Sequence, residues 1–337
     1  MAIPSRPTLV TGATGFVGSA VARTLLARGH TLRLLVRAGS DRRLVDGLGE
    51  LVEGDLRAPS SLAAAVLGCR YVVHVAADYR LWVPDPDAMM LANVAGTEAL
   101  LRAAHAAGVE RTVYCSSVAA LGLIGDGTPG TEDTPVHPEA IVGVYKQSKY
   151  RAEQAVLALA RTEGVPVVVV NPSTPVGPRD IKPTPTGKMV LDAAAGRMPA
   201  YLETGLNIVH VDDVATGHVL ALERGQVGEC YILGGQDFDM PHMLAMIDDV
   251  VGRRPQRRVR LPNRALVPLA LGMEAAARAF GIEPLVTREM LAMARKRMYF
   301  SSAKAERDLG YTARPARQAF ADAIAWFRQH GTLPARP

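Results

Sequence analysis

Aromatic residues are scarce in this chain of 337 residues: six Phe, nine Tyr and two Trp make up 5% of it. With no recognisable RNA- or DNA-reading motif either, the sequence argues against a nucleic-acid partner, although its net charge is +5. Cysteine is equally sparse. Cys69, Cys115 and Cys230 are odd in number, far apart and without metal-site spacing, which predicts a reduced, cytoplasmic protein with no disulfide framework and no metal. No apolar run approaches the roughly 20 residues that a membrane span needs. The nearest, ALVPLALGM at 265–273, is short and interrupted by Pro268. A first strand beginning by Thr8 predicts that no signal peptide precedes it.

What the chain does have is apolar residues, 48% of the total, enough for a sizeable buried core. They fall in an alternating pattern. Short β-branched runs at 8–12, 31–37, 50–55, 71–77, 111–117 and 165–171 read as strands, and amphipathic stretches at 16–29, 61–68, 93–108 and from Gly143 to about Glu163 read as helices. Near-continuous apolar strands between helices predict a parallel sheet covered on both faces, a doubly wound α/β fold of Rossmann type. After Asn171 the texture changes. NPSTPVGPRDIKPTPTG at 171–187 predicts a long loop, 206–235 predicts a strand and helix that rejoin the main sheet, and the chain from 236 on is helix-rich. The expected organisation is a nucleotide-binding domain over 1–171, rejoined by about 206–235, and a smaller substrate-binding lobe from 172–205 and 236–337.

TGATGFVG places Gly12, Gly15 and Gly18 between the first strand and the first helix. A dinucleotide's pyrophosphate needs that context: a tight turn, a close backbone approach, and N–H groups at a helix N-terminus. Arg37, with Arg42 and Arg43 close behind and no acid at the end of the second strand, favours a ribose 2′-phosphate and hence NADP(H), with NAD(H) as the alternative. Asp55 suits either the adenine amino group or a turn cap.

In GVYKQSKYRAE, Tyr145 and Lys149 stand one helical turn apart on a common face. A free tyrosine has a pKa near 10, and a nearby ammonium stabilises its phenolate. The pair can therefore move a proton at an oxygen while a nicotinamide moves the hydride. His74, in an apolar strand, reads as a packed or hydrogen-bonded histidine, and HVDD at 210–213 as a helix N-cap made by an aspartate.

Taken together, TGxxGFxG, GDL, HVAA, NVAGT, CSS and YxxxK, in that order, resemble the extended short-chain dehydrogenases/reductases. Within them the chain is similar to the dihydroflavonol-4-reductase-like group. HVAADYRLW at 74–82 and RKRMYFSSAKAERDLGY at 295–311 are similar to a bacterial subgroup called hopanoid-associated sugar epimerases. The resemblance implies that Ser117, Tyr145 and Lys149 are catalytic. It implies cofactor contacts from Gly12, Thr14, Gly15, Phe16, Val17, Gly18, Arg37, Asp55, Leu56, Ala76, Ala77, Asn93, Tyr145, Lys149, Pro172 and Ser173. It also implies a homodimer built on the tyrosine helix. Asp78, Tyr79 and Trp82 follow a cofactor-side strand end and are expected to face the substrate, with Arg179 as a group for an anionic substituent.

Three readings follow: an NADP(H)-dependent carbonyl reductase or alcohol dehydrogenase acting on a bulky, largely apolar molecule such as a hopanoid; a sugar epimerase or dehydratase that recycles its hydride; and a non-catalytic dinucleotide sensor. Sensors typically lose the tyrosine–lysine pair, which this chain keeps. Leu206 and Asn207 stand where nucleotide-sugar enzymes of the family carry a diphosphate-binding arginine, which favours the reductase. Six arginines over 253–264 (Arg253, Arg254, Arg257, Arg258, Arg260 and Arg264) read as a solvated edge or as a patch for an anionic membrane surface. If Arg37 reads the 2′-phosphate, Arg37→Ala raises the KM for NADPH much more than that for NADH; steady-state kinetics giving equal changes would place that recognition elsewhere.

Overall fold

Valine- and leucine-rich runs bounded by turn residues are too short for helices and too apolar for half-exposed strands, so they pair with one another and are covered from both sides. The computed structural model describes residues 6–80, 85–281, 284, 286–294 and 296–334. Its first half runs β1 (Thr8–Thr11), α1 (Phe16–Ala27), β2 (Leu32–Val36), β3 (Glu50–Glu53), α2 (Pro59–Val66), β4 (Tyr71–His74), α3 (Pro86–Met90), α4 (Gly96–Ala106), β5 (Arg111–Cys115), α5 (Val144–Glu163) and β6 (Val167–Pro172). The second half continues β7 (Thr174–Val176), α6 (Pro185–Ala194), β8 (Ala200–Leu202), β9 (Gly205–His210), α7 (Val211–Arg224), β10 (Cys230–Leu233), β11 (Gln236–Asp239), α8 (Met240–Val250) and β12 (Val259–Leu261). It ends with α9 (Val267–Phe280), α10 (Arg288–Ala294), β13 (Arg297–Met298), α11 (Ala303–Leu309) and α12 (Ala316–Gln329).

Seven strands form the main sheet in the order β3-β2-β1-β4-β5-β6-β10, every neighbouring pair parallel. Helices α1 and α7 pack on one face, and α2, α4 and α5 on the other. This is the doubly wound Rossmann-type architecture. The winding reverses between β1 and β4, which opens a crevice at their carboxyl ends where such folds bind ligands.

The strand read at 206–210 does not rejoin this sheet. As β9 it pairs in parallel with β7 and β13 and antiparallel with β11. Its partner β7 comes from the proline-rich stretch, which leaves the main sheet after Pro172 and so is not loop throughout. Helix α7 packs back onto the main sheet, and β10 closes it beside β6.

The smaller C-terminal region is mostly helical. Val190 of α6, Met243 and Ile247 of α8, and Phe320, Ile324 and Phe327 of α12 form its buried core. The arginine run begins here, and part of it is structural. Asp248, with no solvent exposure, is gripped by Arg253 at 2.6 Å and Arg258 at 2.7 Å and accepts the Gln256 N–H at 2.9 Å. Among the described residues no helix is long and apolar enough to cross a membrane, and no His/Cys/Asp/Glu group is arranged to hold a metal ion.

Burial by itself would raise the Asp248 pKa, but the hydrogen bonds from Arg258, Arg253 and the Gln256 amide outweigh it and hold the group at about 2. Its contribution is therefore present above the ordinary carboxylate range and lost as pH falls toward 2. Asp248→Ala leaves two guanidinium groups without their counter-ion and is expected to cost about 3–5 kcal/mol in chemical denaturation; a loss below about 1 kcal/mol would mean that this clamp does not hold the region together.

Candidate functional site

The crevice between β1 and β4 is shaped by glycine. Gly12 has φ +71°, and a Cβ there would lie 2.6 Å from the Ala76 nitrogen at the end of β4. A Cβ on Gly18 would lie 2.1 Å from the Gly12 carbonyl oxygen. Neither position admits a side chain, so turn, strand end and helix meet backbone to backbone. Gly15 is the extended N-cap of α1; it provides no side-chain cap, and the first turn has no acid. The first N–H groups of α1 therefore point outward beside the partly exposed Thr14, Phe16 and Val17. This cradle fits a dinucleotide pyrophosphate.

Arg37 stands exposed at the end of β2 with no ion pair among the described residues, whereas Arg42 is held by Glu53 at 2.7 Å and Arg43 by Asp41 at 2.6 Å. Asp55 is a turn cap: it accepts the Arg57 N–H at 2.9 Å and pairs with the Arg57 guanidinium at 2.7 Å, which holds its pKa at about 2. Leu56 wedges against Gly96 at the start of α4.

A buried chain of hydrogen bonds crosses from this cradle to α5. The Ala76 N–H donates to Thr11 Oγ1 at 3.1 Å, and Thr11 Oγ1 lies 2.7 Å from His74 Nδ1. His74 Nε2 lies 2.9 Å from Thr97 Oγ1, which donates to the Asn93 carbonyl at 2.7 Å. Because the Thr97 proton is engaged by Asn93, His74 Nε2 carries the hydrogen and Nδ1 accepts from Thr11. Burial, reinforced by the Lys149 charge, pushes the His74 pKa down to about 3, so the ring is neutral. The histidine is thus the hydrogen-bonded one that the sequence suggested.

Asn93 sits in a five-residue π turn, Leu91–Ala95, that precedes α4 and replaces the expected first helical turn. Its side chain accepts the Asp78 N–H at 2.7 Å and donates to the Asp78 carbonyl at 2.8 Å and to Ser148 Oγ at 2.9 Å. Ser148 in turn donates to the Tyr145 carbonyl at 2.7 Å. One side chain therefore locks the strand-end loop to the tyrosine helix.

Tyr145 is half-buried near the head of α5, with the Ser117 hydroxyl against its phenol. Ser117 also accepts the Ala119 N–H at 3.1 Å, which turns the chain away from β5. Lys149, almost wholly buried, donates to the Cys115 carbonyl at 2.7 Å and lies 5.1 Å from the Tyr114 ring centroid. The expectation that this lysine lowers the tyrosine pKa needs correction. Burial, joined by Cys115, pushes Tyr145 up to about 12 against the opposing Ser117 interaction, while the Lys149 ammonium is engaged by the Cys115 carbonyl. Burial also lowers the Lys149 pKa, while Cys115 and the buried Glu153 one turn on support its charge. Pro172 ends β6, and the Ser173 hydroxyl beside it is buried without a partner among the described residues. An orphaned donor at the carboxyl edge of the same parallel sheet is a further fit to a bound dinucleotide.

Other expected substrate groups are engaged elsewhere. Arg179, at φ +75°, forms an ion pair with Asp212, so its charge is committed within the protein. Asp78 pairs with Arg80, and Tyr79 is half exposed. Trp82 lies outside the described residues. The N-cap of α7 is His210, whose Nδ1 accepts the Asp212 N–H at 3.0 Å; the two aspartates expected to cap occupy the first turn instead, with Asp213 paired to Arg314 at 2.7 Å. Thr11, Thr97, Ser148 and Glu153 were not singled out from sequence. Only Ser148 and Glu153 left a helical-spacing signal there, at three and eight residues after Tyr145.

Residues 8–234 match the NAD dependent epimerase/dehydratase family. The chain belongs to that family. It is an NAD(P)-dependent enzyme of the extended short-chain dehydrogenase/reductase type, acting on CH–OH or carbonyl groups of a small molecule. It is 42% identical over 332 residues, 96% of this chain and 94% of the relative, to a protein of Synechocystis sp. provisionally named dihydroflavonol 4-reductase. The crystal structure of gox2253 superposes with a TM-score of 0.88 at 62% identity, covering 98% of this chain and all 100% of that one. DesIV, a dTDP-glucose 4,6-dehydratase from Streptomyces venezuelae solved with NAD bound, superposes at 0.76 with 25% identity over 97% of this chain and 98% of its own. The family's description and the dehydratase speak for the epimerase/dehydratase reading of the sequence more than for the carbonyl reductase reading.

Proposed function

We propose that the protein interconverts a secondary alcohol and a carbonyl on a small molecule by hydride and proton exchange, as epimerases and dehydratases of its family do, with Ser117, Tyr145 and Lys149 as its catalytic residues. The observation that carries this reading is the Tyr145 phenol set against the Ser117 hydroxyl, with Lys149 fixed immediately behind on the Cys115 carbonyl. When bound, the dinucleotide supplies the hydride donor or acceptor. Ser117 holds the substrate oxygen where charge develops. Tyr145, whose phenol holds its proton at neutral pH and more firmly on burial, gives that proton to the oxygen on reduction and takes it back on oxidation. Asn93 and Ser148 hold the head of α5 in register with the cradle.

A second reading, net reduction by NADP(H), is favoured by the unpaired Arg37 at the end of β2. It is also favoured by Asn207, whose side chain accepts the Gly235 N–H at 2.7 Å and donates to Asp237 at 2.7 Å and is therefore not free to clamp a diphosphate. A bulky apolar substrate, a hopanoid included, belongs to this second reading and rests on the resemblance. A homodimer through α5 rests on the same resemblance under either reading, and would cover Met90, Leu91 and Val94 beside that helix. Three free thiols fit the proposed cytoplasmic setting.

The membrane patch narrows to Arg254, Arg257 and Arg264, which are exposed and have no ion pair among the described residues; Arg253 and Arg258 hold Asp248, and Arg260 pairs with Glu203. Beside them α9 exposes Val267, Leu269, Leu271 and Phe280, apolar side chains that a contact with anionic lipid would bury.

Tyr145→Phe is expected to lower turnover about 10²–10⁴-fold while nucleotide binding, followed by fluorescence titration, is unchanged. Retained turnover would remove the assigned proton donor. Mass spectrometry of the nucleotide that co-purifies separates the readings: NAD surviving dialysis supports the epimerase or dehydratase, exchangeable NADPH the reductase. Sedimentation of the protein alone reports the dimer. Sedimentation with phosphatidylglycerol vesicles is expected to show salt-sensitive binding, and no binding at low salt would discard the membrane contact.

A further inference from the structure

A cavity of about 110 Å³ is lined by chain neighbours of the proposed catalytic residues: Val118 and Leu121, which follow Ser117, Ile141 and Val142, which precede Tyr145, Lys146, which follows it, and Met298. At about 30 Å³ of liquid volume per water, it admits about four water-sized groups. That is a short carbon chain with a small polar head, and too little for a nucleoside diphosphate. Its wall is apolar except for Lys146, Lys296 and the surface-facing His137, and includes no carboxylate.

Lys146 is the unusual member. It is the residue after Tyr145, and among the described residues its ammonium donates only to Met298 Sδ at 3.8 Å, a weak acceptor. Burial, joined by repulsion from Lys296, lowers its pKa to about 8. Glu289 on α10 attracts it without forming an ion pair. That carboxylate lies instead against the backbone of Gly143, where φ is +98° and a Cβ would fall 1.6 Å from Glu289 Oε1. Behind it, Glu274 pairs with Arg288 at 3.0 Å. The wall around Lys146 is apolar, and an ammonium whose acceptor is a weak thioether is destabilised there.

We infer that this cavity is the subsite for a carboxylate carried by the substrate close to its reacting carbon, with Lys146 as the group that receives it. The inference rests on the proposed reading of the Ser117–Tyr145 cleft as the substrate site and adds the class of substrate: a short-chain hydroxy or oxo acid, or a larger molecule that ends in one. A carboxylate entering here gives the Lys146 ammonium the charge-assisted hydrogen bond that it lacks, while the adjoining methylenes cover Val118, Leu121 and Val142. Binding needs the charged lysine and the ionised carboxylate, so affinity is highest between about pH 5 and pH 7 and falls as pH rises through the Lys146 pKa.

The test is calorimetric titration of the NADP⁺-saturated enzyme with hexanoate and with methyl hexanoate, a neutral analogue. Hexanoate is expected to bind at least about tenfold more tightly than the ester. Lys146→Met is expected to abolish that preference and Lys146→Arg to keep most of it. Raising the pH from about 7 to about 9 is expected to weaken hexanoate and leave the ester unchanged. No hexanoate binding, equal binding of acid and ester, an unaltered preference in Lys146→Met, or displacement of hexanoate by equimolar inorganic phosphate would each overturn the assignment. The readout is binding, so failure of the proposed catalysis is separable: hexanoate bound through Lys146 in an enzyme whose turnover survives Tyr145→Phe would sink the catalytic roles and leave this subsite standing.

Discussion

Most of the site depends on one neutral, fully buried imidazole. His74 takes a hydrogen bond from Thr11 at the end of β1 and gives one to Thr97 on α4, so the strand that leads into the glycine turn and the helix that follows the π turn share a fixed distance. Protonating the ring would put a donor in front of Thr11 where an acceptor is needed, and would place a cation in an apolar interior near Lys149. Burial keeps the ring neutral, and neutrality gives the network its direction, from the Ala76 amide through to the Asn93 carbonyl. Asn93 carries the constraint on to Ser148 and the head of α5. The nucleotide cradle and the tyrosine are thereby parts of one rigid arrangement, though they lie far apart in the chain.

Charge is handled differently at depth and at the rim. Inside, Lys149 rests on a carbonyl with Glu153 one turn away, and Glu153 takes an amide hydrogen from Asn171 at 2.6 Å. At the rim, arginines are paired locally, Arg43 with Asp41, Arg57 with Asp55 and Arg80 with Asp78, each two residues apart. Such exposed pairs add little stability, but they remove cations from competition for a ligand and leave Arg37 as the one arginine among these that is not so engaged. The C-terminal region repeats the buried scheme at Asp248, and it brings Met298 and Lys296 over α5. On the proposed reading the parallel sheet holds the nucleotide and the contact between α5 and the lobe selects the substrate.

Much of this was legible along the chain. The six early strands, the glycine turn and the Tyr145–Lys149 pair each depend on local periodicity or on residues within one turn of each other, which sequence records directly. Less legible was anything that required two distant segments to meet. The proline-rich stretch reads as loop because its β7 pairing exists only once β9 lies beside it. The aspartates at 212 and 213 look like caps because nothing local reveals that His210 takes the cap while Arg179 and Arg314 take the carboxylates.

The sequence by itself determined the class of fold, the place of the nucleotide cradle, and the presence of a tyrosine and a lysine on one helix face, because hydrophobic period and glycine spacing are properties of neighbours. Only the tertiary structure decided the state of those groups. It is burial that raises Tyr145 and lowers His74 and Lys146, and the Cys115 carbonyl, brought in from β5, that engages the Lys149 ammonium. Desolvation and hydrogen-bond direction depend on what surrounds an atom in space, and no local pattern in the chain records that.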